Sequence, residues 1–118
     1  MKAPQRVQLS EKTTANLRSL TQKTGLSANI LSRFAMLLSF ENPVPPAADL
    51  GHPGLTINRT TLFGELEPLL MAAYVLAPQL NSASSAKDIA SHIARGSAYL
   101  NVRVNSVPDF LAVISDLS

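Results

Sequence analysis

Residues 6–40 constrain this chain more than any other stretch, because within them a two-residue period gives way to a helical one. Arg6–Ser10 alternates, with Val7 and Leu9 on one side and Arg6 and Gln8 on the other, as a half-buried strand does. Ser10 is placed to cap a helix that runs to Thr24, and Gly25 is placed to stop it. Ser27 then opens a second helix carrying Ile30, Leu31, Phe34, Ala35, Leu37 and Leu38. Its main polar positions are Asn29, Ser32 and Arg33, so it expects burial on several sides. Forty residues are too few to supply that burial alone, and the core of a dimer is the natural place for such a helix.

Strand, helix, tight turn and apolar helix in this order resemble the ribbon-helix-helix DNA-binding unit. In that unit two copies pair their strands, and the ribbon or the helix ends meet DNA. The charge distribution points the same way. The net charge is +2, but Lys2, Arg6, Lys12, Arg18, Lys23 and Arg33 face Glu11 alone in the first forty residues. The remainder is net acidic, which leaves one end suited to an anion. At 100° per residue Lys12 and Lys23 fall on one helix face, with Arg18 a third of a turn away. Such cations neutralise phosphates and release counterions. Ser27 and Asn29, with Ala28, stand where free backbone N–H groups and a positive helix end suit a phosphate oxygen. For Ser27 the structural alternative is simple capping. Arg6 and Gln8 are the candidates for base contact, against the alternative of a polar edge strand; phosphate binding ranks above base reading. Arg59, after Asn58, extends the basic set, whereas Arg95 and Arg103 suit ion pairs between subunits.

Beyond Phe40 the chain reads as a connector and then helices. Residues 41–61 hold Pro43, Pro45, Pro46 and Pro53 with Gly51 and Gly54, a composition against both helix and central strand. Helical spacing resumes from Leu62, with Leu66, Leu69, Leu70, Ala73 and Ala77 as the apolar stripe and Pro68 near the helix start. Residues 79–83 break it, with Asn81 and Ser82 as turn formers. A helix follows from Ser84 or Ser85, where Ser85 and Asp88 have capping-box spacing and Ile89, Ile93, Gly96 and Leu100 form the stripe. Asn105 and Ser106 end it, and residues 108–117 predict a last helix with Phe110, Leu111 and Ile114 inward. The predicted fold is mostly α, a single oligomeric domain over residues 1–118. It comprises a basic strand-helix-helix unit (1–40), a connector (41–61) and a helical part (62–118).

Chemistry is sparse. With no cysteine there is no disulfide, thiolate metal site, iron–sulfur cluster or persulfide carrier. His52 lies in the connector; Asp88 and His92 are one helical turn apart and suited to a hydrogen bond, with no nucleophile motif beside them. No phosphate-binding glycine loop or zinc-ligand spacing occurs, so neither catalysis, metal nor cofactor is expected. Residues 2–10 lack a signal-peptide core, and the longest apolar run, 69–77, is far short of the roughly 20 residues of a membrane span, so a cytoplasmic chain without membrane contact is expected.

The order of these segments carries a closer likeness. Thr24–Arg33 (TGLSANILSR), Leu55–Glu65 (LTINRTTLFGE) and His92–Gly96 (HIARG), joined by the proline-rich connector, resemble the DNA sulfur modification protein DndE family along nearly the whole chain. That family belongs to the bacterial system that replaces a non-bridging phosphate oxygen of DNA with sulfur. The resemblance implies a small, mostly helical homotetramer that binds duplex DNA, including nicked duplex, through basic residues. It also implies contact with the other proteins of the sulfur modification complex. By it Lys2, Arg6, Lys12, Arg18, Lys23 and Arg33 become candidate DNA contacts. Without a thiol or a nucleotide loop, such a chain would handle DNA while partners supply sulfur and hydrolyse nucleotide. Two rivals remain. A ribbon-helix-helix repressor or antitoxin would make Arg6 and Gln8 decisive at one palindrome, and a protein scaffold would turn its positive end to an acidic partner.

Overall fold

The computed structural model describes residues 2–80 and 83–116. It begins with strand β1 (Arg6–Ser10), helix α1 (Glu11–Thr24) and helix α2 (Ala28–Phe40), at the boundaries the sequence predicts. Val7 and Leu9 are fully buried, while Arg6 and Gln8 are exposed. Ser10 caps α1 by accepting from the Thr13 N–H at 3.1 Å. Gly25 ends α1 in the left-handed region at φ 76°, where its N–H reaches the Thr21 carbonyl at 2.7 Å. Ser27 caps α2 through the Ile30 N–H at 3.3 Å.

The first departure concerns the partner of β1. A second strand, β2 (Pro53–Asn58), emerges from the proline-rich connector and pairs with β1 antiparallel, Arg6 opposite Asn58 and Gln8 opposite Thr56. The ribbon is therefore made within one chain, unlike the ribbon-helix-helix arrangement of one strand from each of two copies. Proline density hid this strand from sequence reading. Pro53 is its first residue, where a missing N–H is tolerated, and the ladder shifts register between Gln8 and Ser10. Gly54 is required beside it, because a Cβ there would strike the Thr14 hydroxyl and the Ser10 carbonyl.

The second departure concerns α2. Leu31, Ala35 and Met36 are buried within the chain, chiefly by helix α5 (Ser85–Arg103), which carries the expected stripe Ile89, Ile93, Gly96 and Leu100. At Gly96 the two helices come so close that a Cβ would land on the Ala35 carbonyl. The several-sided burial expected of α2 is thus met largely within the chain, by α5, α1 and α4, and needs no dimer core. Short helix α3 (Arg59–Leu62) and a 3₁₀ turn (Gly64–Leu66) lead into helix α4 (Glu67–Leu76), with Pro68 in its first turn. Its buried side chains are Leu70, Met71 and Tyr74; Leu66 and Leu69 are exposed, contrary to the predicted stripe. Leu66 precedes the helix, so it does not share its periodicity.

Ser84, not Ser85, caps α5, accepting from the Lys87 N–H at 3.2 Å. This leaves Asp88 outside any capping box and turns it inward, almost fully buried. Helix α6 (Val107–Ser115) starts one residue early behind the Ser106 cap, buries Phe110 and leaves Leu111 exposed. Asn81, Ser82 and Leu117 lie outside the described residues.

Candidate nucleic-acid interface

The cationic side chains fall into two groups, separated by whether their donors are already engaged. Arg33 is held by the end of α3, its Nε donating to the Leu62 carbonyl at 2.6 Å and its Nη2 to Thr61 at 3.1 Å. Arg59 makes a two-point ion pair with Glu67, at 2.6 and 2.7 Å. The hydrogen bond holds the Glu67 carboxyl below its ordinary range and raises Arg59 above its own. Lys23 is half-buried and donates to the Asn101 carbonyl and side chain at 3.0 and 3.1 Å, near the last turn of α5. Arg95, expected at an intersubunit ion pair, donates instead to Ser39 Oγ, the Ser39 carbonyl and the Val44 carbonyl at 2.8, 2.9 and 2.6 Å. Arg103 lies over its own neighbour, 3.7 Å from the Tyr99 ring centre. Arg103 stays within α5, and the other four tie elements together.

The other group is free. Lys2, Arg6, Lys12, Arg18 and Lys87 are exposed, and no hydrogen bond or ion pair engages their side chains among the described residues. Lys87 was not among the sequence candidates. It lies in the first turn of α5, at the positive end of the helix dipole, where a cation is disfavoured. That misfit was the available signal. The fold brings it to the exposed face of the ribbon, where Arg6, Gln8 and Thr56 meet Ser84, Ala86 and Lys87 around a cleft of about 370 Å³.

Gln8 is exposed but occupied. Its Nε2 donates to the Gly54 carbonyl at 2.9 Å, and its Oε1 accepts from the Thr56 hydroxyl at 2.6 Å. The amide stiffens the ribbon, which weakens its standing as a base reader. Ser27 and Asn29 lie at the other end of α1, a helix of 14 residues, so about 20 Å of helix separates them from the end of β1. The sequence candidates therefore do not converge on one site. Arg6 is joined by Lys87, while Ser27 and Asn29 stand apart at the capped start of α2.

The histidine pair differs from expectation too. His92 Nε2 lies 2.9 Å from the Pro78 carbonyl and 3.9 Å from Asp88, so the carbonyl takes the hydrogen bond predicted for the carboxylate. Asp88 accepts from the Leu80 N–H at 3.1 Å. The Pro78 carbonyl can only accept, so Nε2 carries a proton, and with burial favouring the neutral ring Nδ1 accepts from the Ser39 hydroxyl 2.7 Å away. This assigns a neutral imidazole with its proton on Nε2. Burial pushes His92 below its ordinary pKa, opposed by the Pro78 bond and Asp88. Burial, aided by Asp88, pushes Tyr74 up to about 12. The cluster is a buried joint between α2, α4 and α5, closed by Phe40 edge-on to His92 at 4.8 Å. Among the described residues no group of three or more His, Asp or Glu is placed to hold a metal ion, and no helix is long and apolar enough to cross a membrane.

A family model for DNA sulphur modification protein DndE matches residues 6–107. The chain belongs to the DndE family. Among solved structures it is similar to DndE from Escherichia coli B7A, described as involved in DNA phosphorothioation modification. The two are 28% identical, the alignment covers 85% of this chain and 99% of that one, and the TM-score is 0.68. A double glycine-to-lysine mutant of DndE is likewise 28% identical over 84% of this chain and 98% of its own, at a TM-score of 0.64. No curated protein matches. DndE membership ties the chain to DNA phosphorothioation systems, and the likeness extends from β1 through the start of α6.

Proposed function

We propose that this chain is the non-catalytic DNA-handling subunit of a phosphorothioation system, a cytoplasmic homo-oligomer that grips duplex DNA, nicked duplex included, by its phosphates. The observation that carries this reading is the set of free cations. Lys2, Arg6, Lys12, Arg18 and Lys87 keep their donors unengaged among the described residues, while four other basic residues are bonded across the fold and Arg103 lies on Tyr99. Solvated cations are what counterion release requires. A nick makes the duplex easier to bend, so preference for nicked DNA follows from deformability alone. Ser39 and His92 give no catalytic alternative, because both are buried and every polar atom of the pair has a partner.

Assembly into a tetramer is supported by apolar side chains that the fold leaves outside. Leu69, Val75 and Leu76 on α4 are 62%, 52% and 88% exposed, and Leu111 on α6 is 57% exposed. Solvent is an unfavourable environment for such a set, and a symmetric contact would cover it. The repressor reading loses ground because β1 already has its ladder partner and Gln8 is occupied. The direct test is fluorescence anisotropy on intact, nicked and single-stranded DNA of unrelated sequences across a salt series. Binding to several duplexes with a log–log salt slope near about −4 to −5 is expected if each free cation neutralises one phosphate. Absence of binding at low salt would refute the proposal. Light scattering of the same sample checks the tetramer.

A further inference from the structure

The cleft at the ribbon adjoins a second hollow of about 470 Å³, and Gln8 and Lys87 line both. The two halves differ in chemistry. The first holds Arg6, and Lys87 stands where the two meet; neither side chain is engaged among the described residues. The second is walled largely by Ala48, Leu50, Leu80, Ala83 and Ala90. Leu50 is 81% exposed there, an apolar side chain that the core does not use.

One acid fixes the polarity of the space. Asp49 lines the apolar half, and its carboxylate is anchored by the Ser10 N–H at 2.8 Å and the Thr13 hydroxyl at 3.0 Å. A fixed negative charge repels a phosphate from that half and leaves it the Arg6–Lys87 half. The alanine and leucine walls beside Asp49 suit an uncharged, largely apolar group, and the neighbouring cations suit a phosphate joined to it. The space is too small for a duplex. Its floor is rigid, because the Gln8 amide is locked to Gly54 and Thr56.

We propose that this two-part cleft holds a single unstacked nucleotide of a DNA strand, with its phosphate between Arg6 and Lys87 and its base against Leu50, Leu80 and Ala83. This rests on the DNA-handling reading and extends it, since strand breaks are where a nucleotide most easily leaves the stack. Contact is through apolar surface and a locked amide, so the site accepts any of the four bases.

The test compares three labelled duplexes of one sequence by anisotropy with the full-length protein: a plain nick, a nick with a one-nucleotide flap, and the same flap carrying an abasic residue. The base-bearing flap is expected to bind about tenfold more tightly than the abasic flap, the gain from burying the faces of a base. Leu50→Ser, at a position 81% exposed, is expected to remove most of that ratio with the melting temperature unchanged. Equal affinities for the two flaps, with duplex binding intact, would overturn the nucleotide site and leave the DNA-handling reading standing. No binding to any of the three at low salt would overturn both.

Discussion

The ribbon face and the joint between α2 and α5 use the same side-chain types to opposite ends. In the joint, Arg95 has donors on Ser39 and Val44, and His92 is fixed between Ser39 and Pro78. At the ribbon, Arg6 and Lys87 border a cleft with their donors unused among the described residues. Both regions contain an arginine that a charge count treats alike. What separates them is whether the guanidinium already has acceptors. A guanidinium bonded to backbone carbonyls resists removal and has little left for a phosphate, while a free one contributes little to stability and much to binding.

The largest effect expected on either region comes from Gly96→Ala. The added methyl collides with the Ala35 carbonyl, and separating α2 from α5 should cost about 3 kcal/mol, read as a lower denaturant midpoint. A neutral result would mean the two helices are not in the close contact on which the joint depends. Next, Arg95→Ala removes the donors that hold the end of α2 to the connector, a loss of about 2 kcal/mol with DNA affinity retained by the folded fraction. Loss of DNA affinity at full stability would erase the distinction between the two regions. Third, Arg6→Ala with Lys87→Ala should weaken duplex binding by about tenfold at moderate salt and change stability by less than about 0.5 kcal/mol.

The smallest effect is a pH dependence from the joint. His92 sits below its ordinary value of 6.5 in the fold, so the unfolded chain binds a proton before the native state does. The histidine contribution is therefore complete above about pH 6.5 and declines as pH falls toward the lower native value. Urea midpoints from pH 8 to 5 should show the decline, and His92→Gln should flatten it. An unchanged slope in that variant would mean the acid sensitivity lies elsewhere.

Local signals carried much of this fold into the sequence. The alternation of Arg6–Ser10, the caps at Ser10 and Ser27 and the glycine stop at Gly25 are short-range, and each appears where expected. What failed were the partnerships. β2 was hidden because Pro53 and Gly54 mark turns in general, and here they begin an edge strand pressed on Thr14. The inward face of α4 was misplaced because Tyr74 is drawn toward the buried Asp88, a tertiary preference that spacing does not record. Of the proposed site, the sequence shows the charges and not their engagement. Charge counting lists Arg6, Lys12 and Arg18, which the fold leaves exposed, but it cannot tell them from Lys23, Arg33 and Arg59, whose acceptors lie 78, 28 to 29 and 8 positions away. Lys87 escaped because its value arises only when α5 begins beside the ribbon.

The most direct test of the distinction between free and engaged cations is the salt slope of duplex binding for the wild type and for Arg6→Ala with Lys87→Ala. If free cations make the phosphate contacts, the variant slope should be shallower by about 2, with an unchanged melting temperature. An unchanged slope at equal stability would contradict the account and place the phosphate contacts elsewhere on the molecule.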